Sequence, residues 1–166
     1  MLSQLSIFKQ YPFSEYEENG FDSAHAQYCY SLNPYSQDHY YIPAAESFVA
    51  SYSFVQRGGM DFEAYHKYEQ LYVTAFAEVF GTFDIIGVKD AKEVLYNGYA
   101  AFEADLLKAL REDHSYAFVV NSLGLVIDCN FDLIVAVFGY TAYNERVGEL
   151  LDIFRKHGLF VTDLKE

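Results

Sequence analysis

The sequence predicts an α+β fold, with helices packed on one face of a small antiparallel sheet, the strands at about 116–139 and the N-terminal two-thirds mostly helical. Two observations carry this. Apolar residues recur at helical spacing over 61–80 and 141–157. In contrast, YAFVVNSLGLVIDCNFDLIVAVFG at 116–139 is rich in Val, Ile and Phe and is cut by NSLG and DCN, the mark of short strands in a meander. A chain of 166 residues, 52% of them hydrophobic, can bury one core, and no composition break divides it, so 1–166 reads as a single domain.

Residues 1–43 keep no sustained period. Asn19-Gly20 and Asn33-Pro34 mark turns, Pro12 and Pro43 interrupt regular structure, and short helices fit about 2–9 and 23–31. From Pro43, PAAESFVASYSFVQRGG reads as a helix ending at Gly58; Phe48, Ala50, Tyr52 and Phe54 also alternate as in a strand, but length and the Ala-rich start favour helix. The next segment, DFEAYHKYEQLYVTAFAEVFG, is a core-facing helix. Asp61 caps it, Phe62, Tyr65, Tyr72, Val73, Phe76 and Phe80 form its stripe, and Gly81 ends it.

After a loop at 82–89, DAKEVLYNGYAAFEADLLKALRED predicts another helix. Asp90 and Glu93 stand as a capping box, Val94, Leu95, Phe102, Leu106 and Leu110 share one stripe, and Gly98 kinks or breaks it. Three strands then fill 116–139, with LIVAVF at 133–138 buried. Finally, TAYNERVGELLDIFRKHG has a Thr141 cap, an apolar stripe of Val147, Leu150, Leu151 and Phe154, a basic last turn that includes His157, and Gly158 as terminator.

No motif names a reaction. G-x-S-x-G, the phosphate-cradling G-x-x-x-x-G-K-[ST], G-x-G-x-x-G and H-E-x-x-H are all absent, and no catalytic residue or cofactor follows. DCNFD at 128–132 opens like a calcium loop, but Leu133 and Gly139 occupy the positions that need Gly and a bidentate carboxylate; a hairpin turn at Asn130 accounts for it better. His25 with Cys29, and His66 with Glu69, are half-sites that His39, His114 and His157 do not complete, so no metal is expected. Cys29 and Cys129 read as reduced, buried side chains. MLSQLSIFKQ lacks the features of a secretory signal and no apolar run reaches the ~18 residues of a membrane span, which predicts a cytoplasmic protein.

The charge is the informative feature. Asp+Glu total 24 against 11 Lys+Arg, a formal −13, which disfavours direct contact with nucleic acid or an anionic membrane and favours a basic protein partner. Residues 14–22, SEYEENGFD, hold four carboxylates and two aromatic rings. Between Gln10 and Gln56 lie eight of the sixteen tyrosines, six carboxylates and no Lys or Arg. A solvated loop with inward tyrosines is the plain account. The sharper one is a docking surface in which Glu15, Glu17, Glu18, Asp22 and Asp38 steer a cationic partner and Tyr16, Tyr28, Tyr30, Tyr35, Tyr40 and Tyr41 supply anchors, only a minority of them hot spots.

Small, acidic and free of catalytic motifs, the chain resembles in type the immunity proteins of bacterial polymorphic-toxin and contact-dependent growth inhibition systems. The resemblance spans the whole chain and transfers no residue role. It implies an inhibitor that covers the cationic cleft of a toxin domain, a nuclease among the candidates, with carboxylates where phosphates would stand and tyrosines where bases would stack. Two alternatives stand beside it: an enzyme or ligand-binding protein whose pocket is lined from the 31 Tyr and Phe residues, and, ranked lower for its usually denser acidity, a phage-type nucleic-acid mimic.

Overall fold

Seven strands form one sheet: β1 (Tyr28–Asn33), β2 (Ile85–Lys89), β3 (Lys92–Leu95), β4 (Tyr116–Val120), β5 (Leu125–Cys129), β6 (Val135–Gly139) and β7 (Phe160–Asp163). Their spatial order is β3-β2-β4-β5-β6-β1-β7, and every neighbouring pair is antiparallel. The computed structural model describes residues 2–35, 52–111, 113, 116–129 and 133–165. Helices α1 (Phe13–Asn19), α2 (Tyr52–Gln56), α3 (Phe62–Thr82), α4 (Tyr99–Leu110) and α5 (Glu145–Lys156) complete an α+β fold. Among the described residues no helix is long and apolar enough to cross a membrane.

Strand alternation sends side chains to two different cores. Phe118, Val120, Leu125, Ile127, Val135 and Val137 face α3, α4 and α5, where they meet Phe76, Val79, Phe102, Leu106, Leu150 and Phe154. Phe76 sits at the centre, its ring 5.9, 5.9 and 5.3 Å from those of Phe102, Phe118 and Phe154. On the other face Val88, Val119, Val126 and Phe138 pack under the N-terminal segment through Leu5, Ile7 and Tyr11. The protein therefore has three layers, with the sheet in the middle.

The meander at 116–139, the helix after Asp61 and the final helix lie where the sequence places them, but the first of these helices runs past Gly81 to Thr82 with no capping bond from the Asp61 side chain, and the last is capped by Asn144 rather than Thr141. Asn144 Oδ1 accepts from the amides of Arg146 (3.0 Å) and Val147 (3.3 Å). Cys29 and Cys129 are buried free thiols.

Other readings need correction, among them the loop at 82–89, most of which is strand β2. Residues 28–33 form a strand, not part of a helix over 23–31, because β1 fills the gap between β6 and β7 and gains hydrogen bonds on both edges. Asp90 and Glu93 are no capping box: Asp90 and Ala91, at φ 48° and 55°, make the turn of the β2–β3 hairpin, and the helix starts only after Gly98. Leu95 is 75% exposed on the edge strand instead of lying on a helix stripe. Phe62, at the first turn of α3, is 42% exposed and stacks on His66 rather than entering the core. The helix read over 43–58 is seen from Tyr52 to Gln56, with Gly58 at φ 74° after it; its earlier part lies outside the described residues.

Ion pairs tie the helices together. Glu69 of α3 is fully buried and takes Arg111, just past α4, through Nε at 2.6 Å and Nη2 at 2.9 Å, with His66 Nδ1 at 2.9 Å. Glu78 receives Lys156 Nζ and His157 Nε2 at 2.8 and 2.7 Å, so the basic last turn of α5 closes on α3. Hydrogen bonds from Lys156 and then His157 hold the Glu78 carboxyl below its ordinary range.

Truncating Phe76 to Ala is expected to cost about 3–5 kcal/mol in urea unfolding, against under about 1 kcal/mol for Phe62→Ala. A smaller loss at Phe76 than at Phe62 would reverse the assignment of the helix face. Because the folded-state pKa of Glu78 lies below its unfolded value, its stabilisation is present at neutral pH and fades as pH falls through the carboxylate range. Thermal melts should therefore show Glu78→Gln melting below wild type at about pH 7, with the gap closing by about pH 3.

Candidate functional site

The acidic stretch that stands out in the sequence belongs to the outer layer. Ser6 begins the docking of this layer, its amide donating to Asn121 Oδ1 at 2.7 Å at the β4–β5 turn. Pro12 lets the chain turn into α1, and Gly20, at φ 73°, ends that helix with its amide on the Tyr16 carbonyl. Phe13 and Tyr16 of α1 cluster with Phe8 before the helix and Phe21 after it, Tyr16 and Phe21 at 4.6 Å.

A tyrosine from the far end of β6 fastens this layer. Tyr140 is 1% exposed, stacks on Tyr11 at 4.7 Å, donates its hydroxyl to the Asp22 carbonyl at 2.7 Å and accepts the Asp22 amide at 3.1 Å. Tyr11 in turn donates to the Gly20 carbonyl at 2.6 Å, and burial pushes its hydroxyl up to about 12. Asp22 itself bends the loop, its Oδ1 accepting the amides of Ala24 (2.9 Å) and His25 (3.2 Å). Desolvation works against its charge, but the amide and ring of His25 and the amide of Ala24 outweigh it and hold the carboxyl below its usual range.

The structure divides the residues that the sequence proposes for docking. Glu17 and Glu18 are exposed on α1, and Glu15 and Tyr16 are half-buried there. Asp22 is engaged in its own loop. Tyr28 is only 6% exposed and lies on the opposite, helix-covered face, packed over Gly139, where a Cβ would collide with its ring. It is therefore a core residue, not a surface anchor. Tyr30 and Tyr35 are half-buried against that same core, Tyr35 edge-on to Tyr68 at 5.4 Å. Asp38, Tyr40 and Tyr41 lie outside the described residues.

Two carboxylates whose local sequence suggests a helix cap and a calcium-like turn, Asp90 and Asp128, instead join α1. A groove of about 360 Å³ runs between its C-terminal end and the sheet, lined by Tyr16, Asn19, Gly20 and Phe21 on one side and by Val88, Asp90, Ala91, Ala117 and Asp128 on the other. Among the described residues that line it none is basic. Burial raises the Tyr16 hydroxyl above its ordinary range, and Asp128 and Asp90, which line the same groove, raise it further. Only the pairing of β4 with β2 and β5 brings 90, 117 and 128 together, and no local spacing announces it.

A second cavity, about 650 Å³, opens between α2 and α4 and is lined by residues that include Tyr52, Ser53, Gln56, Leu107, Lys108 and Arg111. Its cations are already engaged: Arg111 with Glu69, and Lys108 with Asp105 at 3.0 Å. His25 is exposed in a loop while Cys29 is buried in β1, so the two do not share a helical face. Among the described residues no three His, Cys, Asp or Glu side chains are grouped to hold a metal ion.

Tyr140→Phe removes the hydroxyl that holds Asp22, at an expected cost of about 1–3 kcal/mol. Hydrogen exchange should show the amides of residues 6–25 opening faster while β4 and β5 stay protected; equal acceleration in both regions would mean that the layer does not open separately. Comparison of the chain with protein-family models, with curated proteins and with solved structures finds no match.

Proposed function

We propose that the protein is an inhibitory binding protein of the immunity type, which neutralises a basic toxin, a nuclease among the candidates, by covering its cationic active-site surface. One observation carries the reading: Glu15, Glu17 and Glu18 stand on α1 of the outer layer, in a stretch without a single lysine or arginine from Tyr11 to Gln56, and Asp90 and Asp128 line the groove at the end of that helix, with Lys89 and Lys92 flanking Asp90 in the chain. Carboxylates of one sign raise the local concentration of a cationic partner and speed its capture. The Coulomb field of such a surface reaches about 8–10 Å at moderate salt, far enough to orient an approaching protein before contact. A cytoplasmic location suits this role, since the toxin acts there once delivered.

A ligand-binding role is the second reading, favoured by the cavity between α2 and α4, with Tyr52 and the Glu69-held Arg111 on its wall. The first ranks higher because the cations of that cavity are neutralised from within.

Capture of partners from the native host, followed by binding kinetics at two ionic strengths, tests the proposal. Replacing Glu15, Glu17 and Glu18 together with Gln should slow association several-fold at low salt, and the difference should shrink near about 0.5 M salt, where screening shortens the reach of charge to a few Å. An acidic partner, or an association rate indifferent to all three substitutions, would remove the basis for the reading.

A further inference from the structure

Asparagine followed by glycine is the dipeptide in which a backbone amide most easily attacks the preceding side chain, because glycine puts no Cβ in the way, and the chain has two such pairs, Asn19-Gly20 and Asn97-Gly98. Both asparagines are exposed, so access to water does not separate them. Their glycine amides do. Gly20 is held on two sides: its amide donates to the Tyr16 carbonyl at 2.9 Å and its carbonyl accepts the Tyr11 hydroxyl at 2.6 Å, with Tyr140 fastening Asp22 just beyond. Asn19 is also the last residue of α1, so its own backbone is helical. Asn97 lies in the bend between β3 and α4, and among the described residues the Gly98 amide has no hydrogen-bond acceptor. A Cβ on Gly98 would meet nothing within 4 Å, so no neighbour confines the bend there. The other asparagines among the described residues precede Pro34, Ser122 and Glu145. Pro34 has no amide proton, the Ser122 amide already donates to Asp84 at 3.0 Å, and the Asn144 side chain is occupied in capping α5.

We propose that Asn97 is a site of spontaneous deamidation in the folded protein, and that Asn19, the same dipeptide in the outer layer, is shielded by the bonds on Gly20 and the clamp of Tyr11 and Tyr140. Base removes the Gly98 amide proton and the nitrogen attacks Cγ of Asn97. A C–N bond forms, and the side-chain amide leaves as ammonia. Water then opens the cyclic imide at one carbonyl or the other, giving aspartate or isoaspartate with no change of oxidation state. The first step needs an amide proton that no acceptor holds and a backbone free to bring nitrogen to Cγ. The first condition is the one that also governs hydrogen exchange, and Gly98 meets both where Gly20 meets neither. Either product adds a carboxylate one residue ahead of Gly98, the N-cap of α4, a helix without an acidic residue in its first turn. Negative charge at that end suits the helix dipole. The isoaspartate form also lengthens the main chain where it enters α4. The chemistry is independent of any partner.

Ageing the purified protein in neutral and in mildly alkaline buffer, followed by peptide mapping that separates the asparagine, aspartate and isoaspartate forms, tests this. The tryptic peptide Glu93–Lys108 carries Asn97 as its one asparagine. Asn97 should convert several-fold faster than Asn19, and faster still in the alkaline buffer, with ammonia released in step. In concentrated urea, where both dipeptides lose their surroundings, the two rates should converge through acceleration at Asn19. Gly98→Ala, whose methyl has room in the fold but obstructs the attacking nitrogen, should slow Asn97 several-fold and leave Asn19 unchanged. Tyr140→Phe should do the reverse, raising the rate at Asn19 alone. Conversion of Asn19 as fast as Asn97 in the folded protein, a difference that persists in urea, or an Asn97 rate indifferent to Gly98→Ala would overturn the proposal. An unchanged Asn19 rate in Tyr140→Phe would overturn the part assigned to the clamp.

Discussion

The constraint from which the rest of the structure follows is that the centre of the sheet has no wet face. In β4, Phe118 is fully buried on one side and Val119 fully buried on the other, and Ile127 and Val126 repeat this in β5. An antiparallel sheet often leaves one side to water; this one requires two covers. Helices α3 to α5 supply the first. The second has to come from the N-terminal segment, which must press an apolar surface against Val88, Val119, Val126 and Phe138 while its other side faces solvent. Hence rings alternate with carboxylates in SEYEENGFD: the rings are the underside of a lid and the glutamates its upper surface.

The abundance of tyrosine has a related explanation. Several of the hydroxyls tie one element to the backbone of another. Tyr65 donates to the Leu110 carbonyl at 2.7 Å, Tyr99 to that of Val73 at 2.9 Å, and Tyr72 to that of Leu133, with the Leu32 carbonyl 3.0 Å away. A buried ring fills core volume, and its polar tip finds an acceptor in the backbone of another element. Tyrosine here is first a structural tie. The surface available to a partner therefore depends more on charge and on one groove than on a broad aromatic face.

What the sequence made legible was whatever local pattern decides. Phe76 and Phe154 could be placed because helical spacing alone puts them on a stripe, and the strands from Tyr116 to Gly139 because Val and Ile runs with short turns leave few other choices. β1, β2 and β7 escaped because they are short and owe their form to partners distant in sequence: Tyr28 pairs with Gly139, Ile85 with Val120, and Phe160 with Asn33. The β2–β3 turn escaped for a chemical reason, since Asp90-Ala91 carries no glycine although both residues adopt positive φ. The site was half-legible in the same sense. Glu17 and Glu18 declare themselves by composition, whereas Asp90 and Asp128 become its members only through sheet register.

The position of β1 has a consequence for how the protein is made. It lies between β6 and β7, so both of its hydrogen-bonding edges wait for strands synthesised much later, with Tyr28 opposite Gly139 and Ser31 opposite Thr162. At ribosomal speeds the partner of Tyr28 emerges roughly 5–20 s after it. During that interval YCYSLN is an aromatic segment with two bare edges, the kind of sequence that pairs with whatever strand is nearest. The run of glutamates just ahead of it is synthesised before it, and segments of like charge on two such chains repel each other. The same carboxylates that crowd the finished surface thus guard the most vulnerable strand before there is a sheet to hold it.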